Sequence, residues 1–350
     1  TWVEPAKEGA RPEAGQHEGP FRCDKSGVWY RTEDPDGEPD WQWVCSPLIV
    51  LALTRNSLGE EWGRLLSVMD ADNVWHTWAM PMSLTAGNGN EYRARLKSLG
   101  LDISPAKKAR ERLELYLVNA KPQARARCVN RTGWSGRAFL LPDASFGDTG
   151  GEEVVFQGGA ASGHNFHAAG NLEDWQREVA AFCQGNSRLA FAVAAAFAAP
   201  LLHLVSLEGG GFHFRGESSR GKTTTLLVAG SVWGGGEING FVRSWRATSN
   251  GLEAVGLAHN DCLLCLDEMS LVDSREVGEV ADMLANGAGK TRARQDGSGT
   301  PVMQWRVLFL STGEVSLADK MLEAGRRARA GQEVRLADIP ADAGAGMGIF

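Results

Sequence analysis

FHFRGESSRGKTTT, residues 212–225, decides the fold. It reads as a short strand, a glycine-bounded loop and the start of a helix. Residues 216–223 fit GxxxxGK[ST], the phosphate-binding loop of nucleoside triphosphatases. Gly216 and Gly221 can take backbone angles closed to other residues, so the loop can wrap an anion. The N–H groups of Glu217, Ser218, Ser219, Arg220, Gly221 and Thr224, with the N-terminus of the following helix, are then expected to point at the phosphates. Lys222 places a point charge on the β- and γ-phosphates, and the Thr223 hydroxyl is a candidate magnesium ligand.

Working outward, a second signal follows at LLCLDE, residues 263–268. A buried strand would deliver both carboxylates to its C-terminal end, beside the phosphate loop. Asp267 is then a candidate for the magnesium shell and Glu268 for the general base that polarises the attacking water. The gap from Lys222 to Asp267 leaves room for one intervening strand and helix. Residues 305–312 read as a further strand ending in Ser311 and Thr312. Either hydroxyl could touch the γ-phosphate and the water, and the pattern does not choose between them.

Strands alternating with helices through this half imply a mainly parallel sheet covered on both faces. The expected fold class is therefore α/β: a P-loop NTPase core of the RecA/AAA+-like kind, preceded by a smaller β-rich α+β domain. Residues 1–20 carry Pro, Gly and Glu with little apolar content and read as a linker or tail. Residues 21–170 form the expected β-rich domain, with strand-like runs such as GVWYR and NVWHTWAMP and a hairpin around TGWSG. Its tryptophans alternate along strands, which favours a buried core over base stacking. Residues 144–170 are Gly-rich and read as loop. Residues 171–350 form the expected ATPase domain. The first residue is Thr1 and not Met, and the last is Phe350 after a Gly/Ala-rich run, so a fragment truncated at its C-terminus is expected.

The chain has 350 residues, 43% of them hydrophobic, enough for two cores. With 36 basic and 43 acidic residues it carries net charge −7, which argues against a surface coated in nucleic acid but not against a few focused basic residues. The six cysteines show no framework, and this points to a reducing cytoplasm. The Cys262-x-x-Cys265 pair lies in an apolar strand with no second pair or nearby histidines, so it is read as core. No signal peptide is visible. The long apolar run at residues 189–205 is broken by Pro200 and reads as a buried helix, with no membrane span expected.

These residues carry a resemblance. VCSPLIVLALTRNSLGEEWGRLL, TGWSGRAFLLPD, GESSRGKTTTL, LLCLDEMS, LANGAGKTRA, FLSTGE and AGQEVRLADIP are similar to the bacterial "domain of unknown function 927" family, found in phage, plasmid and genomic-island replication proteins. The resemblance covers residues 40–340. It implies a helicase-like ATPase using ATP and Mg2+, often joined to a primase module on the same or another chain; no primase signature is present here. Carried over, Lys222, Thr223, Asp267 and Glu268 take the nucleotide and magnesium roles.

The reading is an ATP-driven DNA helicase or translocase acting on single-stranded or forked DNA as a ring homo-oligomer, expected as a hexamer. The alternative is an ATP-binding switch or scaffold without unwinding activity. A small-molecule kinase is disfavoured by the second acid, Glu268. Lys290, Arg292 and Arg294 alternate between the Asp-Glu strand and the next, so period two would aim them to one side of a hairpin toward DNA. Arg326 and Arg327 follow a short helix after STGE and are candidates for an arginine supplied in trans to a neighbour's phosphates.

Overall fold

The computed structural model describes residues 16–34, 36–157, 164–235, 240–290 and 302–350. The chain forms two compact units, residues 1–130 with 143–157 and residues 131–142 with 158–350.

The first unit is β-rich. Gln16–Glu18, Phe21–Asp24, Gly27–Glu33 and Pro39–Cys45 make an antiparallel sheet. A mixed sheet has the order Glu153–Phe156, Arg125–Val129, Leu48–Arg55, Gly63–Met69, Trp75–Pro81. Helices Asn90–Ser98 and Ala109–Asn119 contribute Leu96, Leu113 and Tyr116 to the core beside Val44, Leu48 and Leu66. Residues 144–170 are not all loop, because Glu153–Phe156 pairs parallel with Arg125–Val129 and so satisfies its backbone groups in the sheet. The expected tryptophan core is also corrected. Trp29, Trp41, Trp43 and Trp78 are only partly buried, and Trp62 and Trp75 are exposed. Leu, Val and Met side chains fill the interior together with Phe21, Tyr92 and Tyr116. The Arg22 guanidinium covers Trp29 and Trp41 at 5.4 and 4.8 Å, cation–π packing that leaves the rings at the surface.

The second unit is built on five parallel strands. We label them β1 (Gly210–Arg215), β2 (Arg243–Ser244), β3 (Cys262–Asp267), β4 (Val307–Gly313) and β5 (Leu336–Pro340). Their spatial order is β2-β3-β4-β1-β5. The near-continuous apolar text of β3 and β4 follows from burial on both faces. Side chains alternate: Leu264, Leu266, Val307 and Phe309 enter one core, and Leu263, Cys265, Leu308 and Leu310 enter the other. The first core is covered by α3 (Ser249–Ala258) and α4 (Val277–Asn286). The second is covered by α1 (Ser187–Ala198) and α2 (Lys222–Gly230).

Several local expectations shift. The apolar run at 189–205 becomes α1 and a short turn of helix, Leu201–Leu204, separated at Pro200. Only one face of it is buried; Phe197, Leu201 and Leu204 are exposed. Thr248 caps α3 by accepting from the Gly251 N–H at 3.2 Å. Arg335 ends a helix, Ala330–Arg335, and β5 begins one residue later. The TGWSG hairpin, Gly133–Ser135 with Arg137–Leu141, belongs with the second unit and not with the strands that precede it. Its hydrogen bonds explain why: Thr132 Oγ1 donates to Ala258 O at 2.9 Å, and the Trp134 N–H donates to Asp261 Oδ2 at 3.0 Å. Among the described residues no helix is long and apolar enough to cross a membrane.

Candidate nucleotide site

Parallel strands bring β1, β3 and β4 to one edge by their C-terminal ends, where the loop after β1, Asp267 and Glu268 at the end of β3 and Thr312 on β4 meet. β1 runs into the loop at Gly216. The backbone reaches the left-handed region at Ser219 (φ 61°) and at Gly221 (φ 81°), the residue preceding α2. The expectation that Gly216 needs such angles is therefore corrected. Its constraint is proximity, since a Cβ there would lie 3.1 Å from the Ala341 Cβ.

The Lys222 ammonium is folded over the loop, donating to Gly216 O and Glu217 O, both at 2.7 Å. It is 8% exposed, so the cation is held inside the turn that Glu217, Ser218 and Ser219 form around it. Thr223 and Thr224 are exposed on the first turn of α2. The Thr223 hydroxyl faces the end of β3, 3.2 and 3.3 Å from the two Asp267 carboxylate oxygens. β4 lies between β1 and β3, and this places Thr312 at the centre. Its hydroxyl donates to Asp267 Oδ1 at 2.5 Å and accepts from the Glu268 N–H at 3.0 Å.

Glu268 is the next residue, with backbone in the left-handed region (φ 61°, ψ 78°). A glutamate rarely adopts that conformation, and such strain gathers at working sites. Its carboxylate accepts from the Ser270 N–H at 3.3 Å and from the Ser270 hydroxyl, capping the short turn that follows. The carboxylate is therefore turned along the chain.

Ser311 and Thr312 sit on opposite faces of β4. Ser311 is fully buried. Trp245 Nε1 donates to the Ser311 hydroxyl at 2.9 Å, and that hydroxyl faces His213 Nδ1 at 2.8 Å. Val315 O can only accept, so His213 Nε2 carries the ring proton and donates to it at 3.0 Å. The bare Nδ1 of the neutral ring then accepts from the Ser311 hydroxyl. Burial holds the His213 pKa down to about 4, and the Arg215 and Lys222 charges push the same way. The serine that sequence pattern could not separate from Thr312 is thus committed to the interior.

The remaining candidates lie elsewhere. Arg326 donates to Arg275 O at 2.7 Å and pairs with Glu279 at 3.2 Å, while Arg327 is exposed. Lys290 is exposed, and its N–H donates to Glu253 Oε1 at 3.1 Å. It follows a short antiparallel pairing: the Gly289 N–H donates to Met303 O and the Trp305 N–H to Gly287 O, both at 2.9 Å. Arg292 and Arg294 lie outside the described residues.

Three contributors had no signal in the sequence pattern. His213 and Trp245 read as ordinary strand residues. Arg220, expected only as a loop residue, anchors a second segment: its guanidinium donates to Gly346 O at 2.8 Å and to Glu217 Oε2 at 3.0 Å.

A glycine loop, a buried lysine and a threonine–aspartate–threonine cluster at the edge of a parallel sheet define a mixed α/β protein with a candidate phosphate site. The chain belongs to the family described as domain of unknown function (DUF927), whose sequence pattern matches residues 21–303. Among solved structures, "SCCmec type IV Cch - active helicase" is similar with TM-score 0.67 and 19% identity, over 93% of this chain and 59% of that one. The likeness shows a shared fold, and this chain spans 59% of that protein's length. NtrX from Brucella abortus in complex with ATP is similar with TM-score 0.27 and 18% identity, over 44% of this chain and 36% of that one, too little to carry an argument. No curated protein matches the chain.

Proposed function

We propose that the second unit is a P-loop ATPase, and that it drives a DNA helicase or translocase acting in replication of a mobile element or phage as a ring homo-oligomer, a hexamer. The observation that carries the reading is the meeting of Thr223, Asp267 and Thr312 beside the Lys222 loop. Phosphoryl transfer asks a protein for positioning and charge stabilisation, and this edge of the sheet offers both. The loop N–H groups and Lys222 would hold the phosphates; Lys222 exchanges its two carbonyl partners for phosphate oxygens. Thr223 Oγ1 and Asp267 Oδ1 stand 3.2 Å apart. That fits neighbouring ligands of an octahedral magnesium, for which metal–oxygen distances near 2.1 Å imply about 3 Å between ligands. Thr223 and Asp267 would hold magnesium there, and it would supply charge neutralisation for the phosphates. Glu268 accepts the proton of the attacking water once its carboxylate leaves Ser270. Thr312 holds Asp267 and the Glu268 backbone in register.

The shared fold with an active helicase supports nucleic acid as the partner. Lys290, Arg292 and Arg294 are proposed to contact DNA phosphates, and Arg326 or Arg327 to act on a neighbour's nucleotide. Turnover of ATP by the whole chain, with and without single-stranded DNA and at several salt concentrations, tests the reading. The expected result is hydrolysis stimulated several-fold by DNA, with the stimulation falling steeply as salt rises. Charge reversal at Lys290, Arg292 and Arg294 should remove the stimulation and leave basal turnover. Hydrolysis indifferent to DNA at low salt overturns the motor.

One observation favours a second reading, an ATP-binding switch or scaffold without unwinding. The Glu268 carboxylate is occupied by Ser270. Tight ATP binding with turnover no faster in wild type than in Glu268→Gln would select it.

A further inference from the structure

We infer that residues 341–349 form a strap that holds the phosphate loop in its binding shape, with Asp342 as the positioning residue that ties it; this rests on the reading of residues 216–223 as a phosphate loop. The strap leaves β5 and crosses the loop from end to end. At one end the Ala341 N–H donates to Arg215 O at 2.7 Å, just ahead of Gly216. At the other the Ile349 N–H donates to Arg220 O at 3.2 Å, just ahead of Gly221. Between them Gly346 O accepts from the Arg220 guanidinium.

The packing is as close as the hydrogen bonding. Ile349 and Ala341 are fully buried, in a cluster with Cys183, Leu189, Val193 and Val228. A Cβ at Gly221 would lie 2.7 Å from Ile349, and one at Gly348 would lie 2.6 Å from Arg220 O. Glycine at 221 is therefore required twice, by its φ of 81° and by the isoleucine against it.

A Gly/Ala-rich segment has little intrinsic reason to hold one shape, since glycine loses the most freedom on ordering. Asp342 supplies the reason. Its Oδ1 accepts the N–H groups of Gly344 and Gly346 at 2.6 and 3.1 Å, and its Oδ2 that of Gly348 at 3.1 Å. The three N–H groups hold the carboxyl below its ordinary pKa. Arg188 fixes the base of the knot by donating to Pro340 O at 2.8 Å and Asp342 O at 3.1 Å. The consequence is directional. Asp342 orders Gly348, Gly348 places Ile349, and Ile349 with Gly346 fixes the Arg220–Gly221 peptide. That peptide precedes Lys222, so its orientation sets where the loop N–H groups aim.

Two substitutions attack the same contact from opposite sides. Asp342→Asn can keep the Gly344 and Gly346 bonds through its amide oxygen, but sets an NH2 against the Gly348 N–H. Gly348→Ala drives a methyl group into Arg220 O. In both, hydrogen exchange at residues 216–221 of the nucleotide-free chain should quicken about tenfold, with protection in β4 unchanged. The dissociation constant for ADP, measured by calorimetry, should rise about tenfold. Exchange at the loop equal to wild type overturns the strap, as does protection lost in β4 alike, which would mark a general structural role. Faster exchange with unaltered ADP affinity also overturns it, because the loop shape would then not matter to the ligand. A wild-type chain that binds no ADP removes the nucleotide reading instead, and the exchange result still decides whether the strap holds the loop.

Discussion

Acidification from pH 7 to pH 5 should weaken the second unit in proportion to its buried neutral histidines, and His213→Gln should remove one share. His213 is neutral in the fold for a geometric reason. Its Nε2 must donate to Val315 O, so in the neutral ring Nδ1 accepts from Ser311, and a proton on Nδ1 would displace the serine proton from that partner and make the Ser311 oxygen accept from both the imidazole and the Trp245 indole. Burial lowers its pKa from 6.5 to about 4, and the like charges of Arg215 and Lys222 add to this. The sign follows. Between those values the unfolded chain binds the proton and the folded chain does not, so stability is full above pH 6.5 and is lost as pH falls toward 4. At about 1.4 kcal/mol for each pH unit the whole effect is roughly 3 kcal/mol, of which about 2 kcal/mol falls above pH 5. His259, buried and also held at about 4, carries a similar share. Asp342 and the other carboxylates held low titrate below this window. The assay is amide exchange in β4, Val307–Gly313, corrected for the intrinsic rate, because these amides open only with the whole unit. Wild type should lose about 4 kcal/mol of protection between pH 7 and 5, and His213→Gln about 2 kcal/mol, a difference of roughly thirty-fold in rate. Equal losses in the two proteins would refute the claim that the fold keeps His213 unprotonated.

Three further outcomes are expected. Ser311→Ala strands the Trp245 and His213 nitrogens and should cost about 1–3 kcal/mol of stability with turnover kept, whereas Thr312→Val, which strands the Glu268 N–H and an Asp267 oxygen in an equally buried place, should cost a similar amount and also lower turnover; denaturant titration and phosphate release by the pair check this, and turnover lost in Ser311→Ala but kept in Thr312→Val would exchange their roles. Lys222→Ala should abolish nucleotide binding and Glu268→Gln should keep it while losing turnover, measured by calorimetry and phosphate release; Glu268→Gln hydrolysing at the wild-type rate removes Glu268 as the base. The Arg326–Glu279 pair is exposed and worth at most about 1 kcal/mol, so it does not bar Arg326 from another partner; mixing Lys222→Ala subunits with Arg326→Ala/Arg327→Ala subunits should restore part of the ATPase activity that each lacks alone, and co-assembled mixtures without activity exclude an arginine in trans.

The parallel sheet was legible because its strands are buried on both faces, and β3 and β4 therefore spell uninterrupted apolar runs. Boundaries were less so. Adjacent Thr248 and Ser249 are both good caps, and only the hydrogen bond to Gly251 distinguishes them. The first unit misled for a different reason. Alternating tryptophans signal a strand with two unlike faces, but not which face meets the core. Arg22 packs over Trp29 and Trp41 where they stay partly exposed, and such a pairing leaves no periodicity to read.

The site divides along the same line. That Thr223 and Asp267 meet beside the Lys222 loop was legible, because the pattern sets a strand ending in an acid in the same parallel sheet as the strand that feeds the loop. Ser311 and Thr312 could not be separated, since period two says only that adjacent residues face opposite sides. What separates them is a residue far away in sequence, Trp245, whose indole can donate and cannot accept. Asp342 was the least legible of all. An aspartate in a Gly/Ala-rich run reads as a solvated turn, and nothing local marks its neighbours' N–H groups as converging on it. The convergence exists because Ile349 must reach Gly221, a contact set by the sheet that brings β5 beside β1. A side chain whose role is defined by a tertiary neighbour carries no signature in its own stretch, and in this chain such residues surround the motif that the sequence announces.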